Sequence, residues 1–242
     1  MRFLCLHGGS TSGEIFEIQA GGLTTALEAK GHKFHFINGR LNSDCEPELR
    51  GIVPPPYFNH YPRDQPPGVD LKNAIEYTHR LINRDGPFDA VMGFSQGAAL
   101  AFSLLQHHAQ TKGSSTDSDE EADVKPLFKA AVFICAGAPY ELSGNTFVSF
   151  SDPKDFETPV GDTRRRDGRG KGYMVNIPTA HIVGSQDALH SQGMKLYGLC
   201  DQSKAEVYEH GGRHMIPFDE VQNAAMVAVI EKTIERAQKE SS

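Results

Sequence analysis

Phe88-Asp89-Ala90-Val91-Met92-Gly93-Phe94-Ser95-Gln96-Gly97 is the stretch on which the fold turns. Its first part is a short apolar run after Asp85-Gly86-Pro87 and reads as a buried strand over residues 88–93. Residues 98–109 follow with a helical pattern, so a strand passes into a helix through a turn of the form G-x-S-x-G. A turn this tight has no room for a side chain at its flanks, and glycine at 93 and 97 removes it. Such a turn also aims the backbone N–H of Gln96, together with the helix N-terminus, at the space beside Ser95. Ser95 is therefore the candidate nucleophile.

The same alternation extends in both directions. Residues 2–7, 32–37, 129–136, 178–183 and 205–209 read as further strands. Residues 14–30, 71–84, 191–200 and 217–239 read as helices, with Asp70 as a plausible N-cap for the second. Six strands separated by helices imply right-handed crossovers and a mostly parallel α/β sheet with helices on both faces, in one domain spanning residues 1–242. In such a sheet a ligand site forms at the carboxyl ends of the strands.

Two long segments interrupt the pattern. Residues 38–67, with Pro54-Pro55-Pro56 at the centre, form a connection poor in regular structure. Residues 137–176 have no clear period and are read as covering part of the site. Residues 54–58 and 147–150 bring apolar and aromatic surface to the pocket that these two segments are expected to build. Residues 111–123 are polar, acidic and low in complexity, which marks a mobile surface insertion.

A serine hydroxyl needs a base, and the base needs a group to orient it. His214 in His210-Gly211-Gly212-Arg213-His214 follows the last strand, and Asp187 in Gly184-Ser185-Gln186-Asp187 follows the strand before it. The order Ser, acid, His is the one that accompanies a nucleophile elbow. His210 is a rival base that sits closer to its strand end. Asp201 and Asp219 are rival acids in or beside helices, where capping is their ordinary role. His7-Gly8-Gly9-Ser10 follows the first strand and offers the second oxyanion N–H, from Gly9 first and Ser10 next, to complement that of Gln96. This loop is not G-x-G-x-x-G, and no acidic residue ends the second strand, which argues against a dinucleotide site.

These motifs together resemble the fungal serine hydrolase family. Leu6-His7-Gly8, the elbow at 93–97, the loop at 184–187 and the loop at 211–217 carry the resemblance over nearly the whole chain. It implies an α/β-hydrolase fold whose first strand corresponds to the third of the full fold, and a triad of Ser95, Asp187 and His214. Ile15-Phe16-Glu17-Ile18-Gln19, Pro56-Tyr57-Phe58 and Gly211-Gly212-Arg213-His214 are similar to a branch of thioesterase-like hydrolases that serve fungal polyketide synthases. Arg213 and the acidic insertion depart from the family pattern.

Composition bounds the partners. With 24 Lys and Arg against 31 Asp and Glu, the net charge of −7 favours neither nucleic acid nor an anionic membrane. The basic cluster of Arg164, Arg165, Arg166, Arg169 and Lys171 lies among glycines and reads as a solvated loop. The apolar run at residues 3–6 is too short for a secretory signal or a membrane span. Cys5, Cys45, Cys135 and Cys200 show no metal-site spacing, and a reducing, cytoplasmic location is expected. The expected reaction is acyl transfer from a small ester or thioester to water, without metal or organic cofactor. The thioester reading implies release or editing of polyketide chains, with an acyl carrier protein as partner. The alternatives are a general short-chain carboxylesterase and a non-catalytic binding protein of the same fold.

Overall fold

In a computed structural model residues 90–113 form strand β5 (Ala90–Phe94), the turn at Ser95 and helix α4 (Gln96–Gly113). The structure describes residues 1–63, 67–113, 126–143, 146–149 and 175–241. β5 lies inside a sheet of six strands in the order β10-β9-β6-β5-β1-β2, all parallel. The other strands are β1 (Arg2–Leu6), β2 (Lys33–Ile37), β6 (Ala130–Ile134), β9 (Thr179–Gly184) and β10 (Ala205–His210).

Alternation along each strand builds a core on each face. Leu4, Leu6, Val91, Ala131 and Phe133 face α3 (Gly68–Asp85), α4 and α5 (His190–Gly198), and pack against Leu71, Ile75, Phe102 and Leu196. Phe3, Cys5, Met92, Val132, Ile134 and Ile182 face the other way. There they meet Phe16 of α1 (Gly13–Gln19), Leu23 and Leu27 of α2 (Gly21–Glu28), and Met226 and Ile230 of α6 (Glu220–Glu240). The helices do lie on both faces, and the sheet is wholly parallel rather than mostly so.

Two helix readings change. The single helix expected over residues 14–30 is two, because the chain turns at Ala20 before Gly21-Gly22, where the backbone reaches φ −91°, ψ 1°. α3 starts at Gly68 with Pro67 at the N-cap position, so Asp70 lies in the first turn instead of capping it. Its carboxylate accepts from the Arg40 guanidinium.

The long segments have structure that periodicity did not reveal. Residues 41–63 form a strap carrying a short antiparallel ladder of β3 (Leu41–Asn42) and β4 (Phe58–Asn59). β7 (Tyr140–Ser143) and β8 (Thr146–Ser149) form an antiparallel hairpin. The Tyr140 ring meets Tyr61 of the strap edge-on at 6.2 Å. Phe150, the basic cluster at 164–171 and residues 114–123 of the acidic insertion lie outside the described residues; residues 111–113 close α4.

The order of the sheet positions the site. The chain leaves β1 toward β2 on one side, then returns to place β5 on β1's other side. The loops after β1 and β5 therefore diverge around one crevice at the carboxyl edge, where a ligand has access to both.

Candidate active site

Ser95 sits at φ 53°, a left-handed conformation that a non-glycine residue rarely adopts. Backbone bonds hold it there. Its N–H donates to Ile134 O at 2.9 Å, and its carbonyl accepts from Ala98, Ala99 and Gly137 at 3.1–3.2 Å. The flanking glycines are required by contact. A Cβ on Gly97 would lie 2.0 Å from Leu6 O, and one on Gly93 would lie 2.5 Å from Ala98 N.

Three separated segments bring their side chains into line. Ser95 Oγ lies 2.9 Å from His214 Nε2, and His214 Nδ1 lies 2.8 Å from Asp187 Oδ2. With Nδ1–H donating to the carboxylate, Nε2 is left as the acceptor for the serine proton. The other oxygen, Asp187 Oδ1, accepts the Leu189 N–H at 2.8 Å. The Asp187 side chain is buried, whereas that of His214 is 34% exposed and so open to an incoming ligand. The His214 ring also packs on Phe94, at 5.1 Å between centroids.

The acid loop and the base loop are stitched to each other. Ser185 N–H donates to His210 O at 2.8 Å, and Gln186 N–H donates to Gly212 O at 3.1 Å. His210, the rival base, is buried beneath this loop and does not face Ser95. Its Nδ1 accepts the Gly212 N–H at 3.1 Å, and its Nε2 faces Cys135 Sγ at 3.8 Å. Asp201 caps a local turn through Ser203, and Asp219 caps α6 by accepting from Gln222 N.

Cys135, just past β6, is buried but also borders the acid. It has φ 44°, and its Sγ lies 3.5 Å from Met215 O. Burial first, and the adjacent Asp187 charge second, push its thiol up to about 12.

The oxyanion side is built from the loop after β1 and the start of α4. Gly8 is close enough that a Cβ there would lie 3.4 Å from Ser95 Cβ. Ser10, also at positive φ, donates its N–H to Asn59 Oδ1 at 2.8 Å. That corrects its place as a second donor, because an N–H engaged by the strap is not available to substrate.

The strap grips both halves of this side. Phe58 N–H donates to Thr11 O and Glu46 N–H to Ser10 O. His60 N–H donates to Gln96 Oε1 at 2.8 Å, and Gln96 Nε2 donates to Tyr61 O at 2.8 Å. The His60 ring donates from Nε2 to His7 O at 3.1 Å and stacks on His7 at 4.4 Å. His7 Nε2 accepts the Gly39 N–H, so its proton is on Nδ1, donated to Gly8 O at 2.6 Å. Burial holds His7 down to about 4 and, with His7 as neighbour, holds His60 well below the ordinary histidine range, so both are neutral at pH 7.

This geometry, in which a strained serine, an exposed imidazole and a buried carboxylate lie in sequence, is fit for nucleophilic acyl transfer. Residues 1–226 match the model of the family described as serine hydrolase (FSH1). The chain belongs to that serine hydrolase family. Esterase FPY3 of Fusarium mangiferae is 29% identical over 244 residues, covering 98% of each chain. Hydrolase FUB4 of Fusarium oxysporum f. sp. lycopersici is 32% identical over 259 residues, covering 90% of this chain and 92% of that one. Among solved structures, the Paleococcus ferrophilus monoacylglycerol lipase aligns with TM-score 0.56 at 13% identity, over 97% of this chain and 94% of that one. The Bacillus cereus carboxylesterase aligns with TM-score 0.55 at 12% identity, over 95% and 87%. The fold is that of α/β-hydrolases, and the chain is a serine hydrolase of the esterase kind. No helix among the described residues is long and apolar enough to cross a membrane.

Proposed function

We propose that the protein hydrolyses acyl esters and thioesters through a Ser95–His214–Asp187 triad, and that its natural role is thioesterase release or editing of polyketide chains. The alignment of Ser95 Oγ, His214 and Asp187 at 2.9 and 2.8 Å carries the reading. His214 takes the Ser95 proton as Oγ attacks the carbonyl carbon. The Gly9 and Gln96 N–H groups receive the oxyanion, each worth roughly 3–4 kcal/mol of barrier. Asp187 holds the tautomer and stabilises the imidazolium. The thiol or alcohol leaves with the proton from His214, and water then repeats the cycle on the acyl-enzyme.

The thioester preference rests on the similarity of residues 15–19, 56–58 and 211–214 to the polyketide-associated branch; fungal relatives named as esterases and hydrolases support the ester chemistry. Exposed Met215 and Phe218, on the segment that follows His214, supply apolar surface for an acyl chain. An acyl carrier protein is the proposed donor, and four free cysteines suit a reducing, cytoplasmic setting.

Two measurements test this. A fluorophosphonate probe should label Ser95 and fail to label Ser95→Ala; an unlabelled, folded wild type would favour a binding protein instead. Turnover of an acyl-carrier thioester should exceed that of small aryl esters. Equal turnover would favour a general carboxylesterase.

A further inference from the structure

We infer that the protein carries an inhibitory zinc site formed by Cys135 Sγ, the Asp187 carboxylate and His214 Nδ1. One ligand atom from each of these residues lies within 4.8 Å of the others, and they make up the one such group among the described residues. Thiolate, imidazole and carboxylate form the borderline-soft set that suits Zn²⁺, whereas Mg²⁺ and Ca²⁺ take oxygen ligands. Tetrahedral bonds of about 2.0–2.3 Å put ligand atoms about 3.5 Å apart. The His214–Asp187 contact at 2.8 Å must open slightly to admit the ion, and the thiol must close on it.

The surroundings favour this set. Cys135 and Asp187 are buried while His214 is exposed, so the group meets solvent on its His214 side. His210 Nδ1 is an acceptor for Gly212 N–H, which puts its proton on Nε2, toward Cys135 Sγ at 3.8 Å. That N–H faces the sulfur as an outer partner of a metal-bound thiolate would.

The proton inventory makes the site inhibitory. On zinc binding the Cys135 thiol proton leaves to solvent. His214 stays neutral, and its one ring proton moves from Nδ1, now bound to metal, to Nε2. That proton then faces Ser95 Oγ, the partner of Nε2 in the metal-free site, where the triad requires an acceptor. The ring is held in the wrong tautomer, and Ser95 cannot be deprotonated. The inhibition rests on the triad reading; the site itself does not.

Cobalt(II) is the probe for the site, on full-length Ser95→Ala protein. A thiolate-to-cobalt charge-transfer band with tetrahedral visible bands is expected. The band should be lost in the Cys135→Ser, Ser95→Ala double variant and kept when Cys45→Ser replaces Cys135→Ser. Absence of the band, or its persistence without Cys135, overturns the site. Should the Cys135 variant not fold, Asp187→Asn carries the test: cobalt affinity should fall at least about tenfold, and an unchanged affinity overturns the proposal. In a second arm, Zn²⁺ should inhibit aryl-ester hydrolysis by the wild type reversibly, with chelator restoring activity. The inhibition constant should rise at least about tenfold in Cys135→Ser, relative to that variant's own uninhibited rate. Equal inhibition of both enzymes overturns the mechanism. A wild type that binds cobalt through Cys135 yet has no esterase activity refutes the triad reading and leaves the metal site standing.

Discussion

The backbone N–H of His60 donates to Gln96 Oε1 at 2.8 Å, tying the strap to the residue that follows the nucleophile. The same histidine holds His7 O through its ring, just before the Gly8-Gly9 loop. One buried residue thus bridges the two backbone segments proposed to converge on an oxyanion. Gln96→Ala keeps the Gln96 N–H and removes only the clamp. It should lower kcat by about tenfold to a hundredfold and leave KM within about twofold, since misplacement of such a donor is felt in the transition state. His60→Ala should act in the same direction. Steady-state kinetics on one aryl ester, with a melting curve to show folding, decide it; a rise in KM at constant kcat would place the clamp in substrate binding instead.

Asp187 should act through His214 alone. Asp187→Asn keeps the Leu189 contact but presents an amide N–H or a weaker acceptor to Nδ1, which favours the tautomer with its proton on Nε2. The expected loss is about 10⁴-fold in kcat, with KM little changed. Pre-steady-state measurement of acylation should show the loss there; wild-type acylation in this variant would remove Asp187 from the triad.

What could be read from the sequence, and what could not, follows from range. The strands, the elbow and the order Ser95, Asp187, His214 were legible because each is local: an apolar run, a glycine pair, a residue just after a strand. Ala20 escaped because the apolar spacing runs on across a turn that separates two helices. Asn59, His60 and Cys135 escaped because their contacts are long-range. His60 reaches back 53 residues to His7, and nothing in Tyr57-Phe58-Asn59-His60 shows that partner. A separation of 49 residues likewise hides the contact in which the Ser10 N–H donates to Asn59 Oδ1. The length of the strap and the Gln beside Ser95 were the available hints.

Gly97 is fixed by sterics. A methyl group there would meet Leu6 O at 2.0 Å and His7 O at 2.6 Å, both backbone atoms of β1 and its loop. Neither can move without displacing the oxyanion loop from Ser95. Gly97→Ala should cost more than about 4 kcal/mol, seen as insoluble expression or a collapsed melting transition. A soluble variant with wild-type stability would show that the elbow and β1 are less closely packed than described.

Acid should unfold the protein earlier than its surface charges alone would dictate. His7 is held down to about 4 and His181 to about 3, each chiefly by burial, and His60 also lies well below 6.5. In the unfolded chain all three titrate near 6.5. As pH falls below that value the unfolded state takes up protons that the folded state refuses, so stability falls with pH. The contribution of these histidines is whole above about pH 6.5 and is lost downward through the window to about 4 for His7 and about 3 for His181. Each group contributes a slope of about 1.4 kcal/mol per pH unit within its window. His181 is the cleanest to test, since its ring meets Thr179, Phe133 and Tyr197 and lies outside the triad and the strap. Urea unfolding of wild type and His181→Gln at pH 7, 6 and 5 should show stability declining in both, with a shallower slope by about one proton in the variant. Parallel slopes would mean that His181 is protonated in the folded state, against its burial.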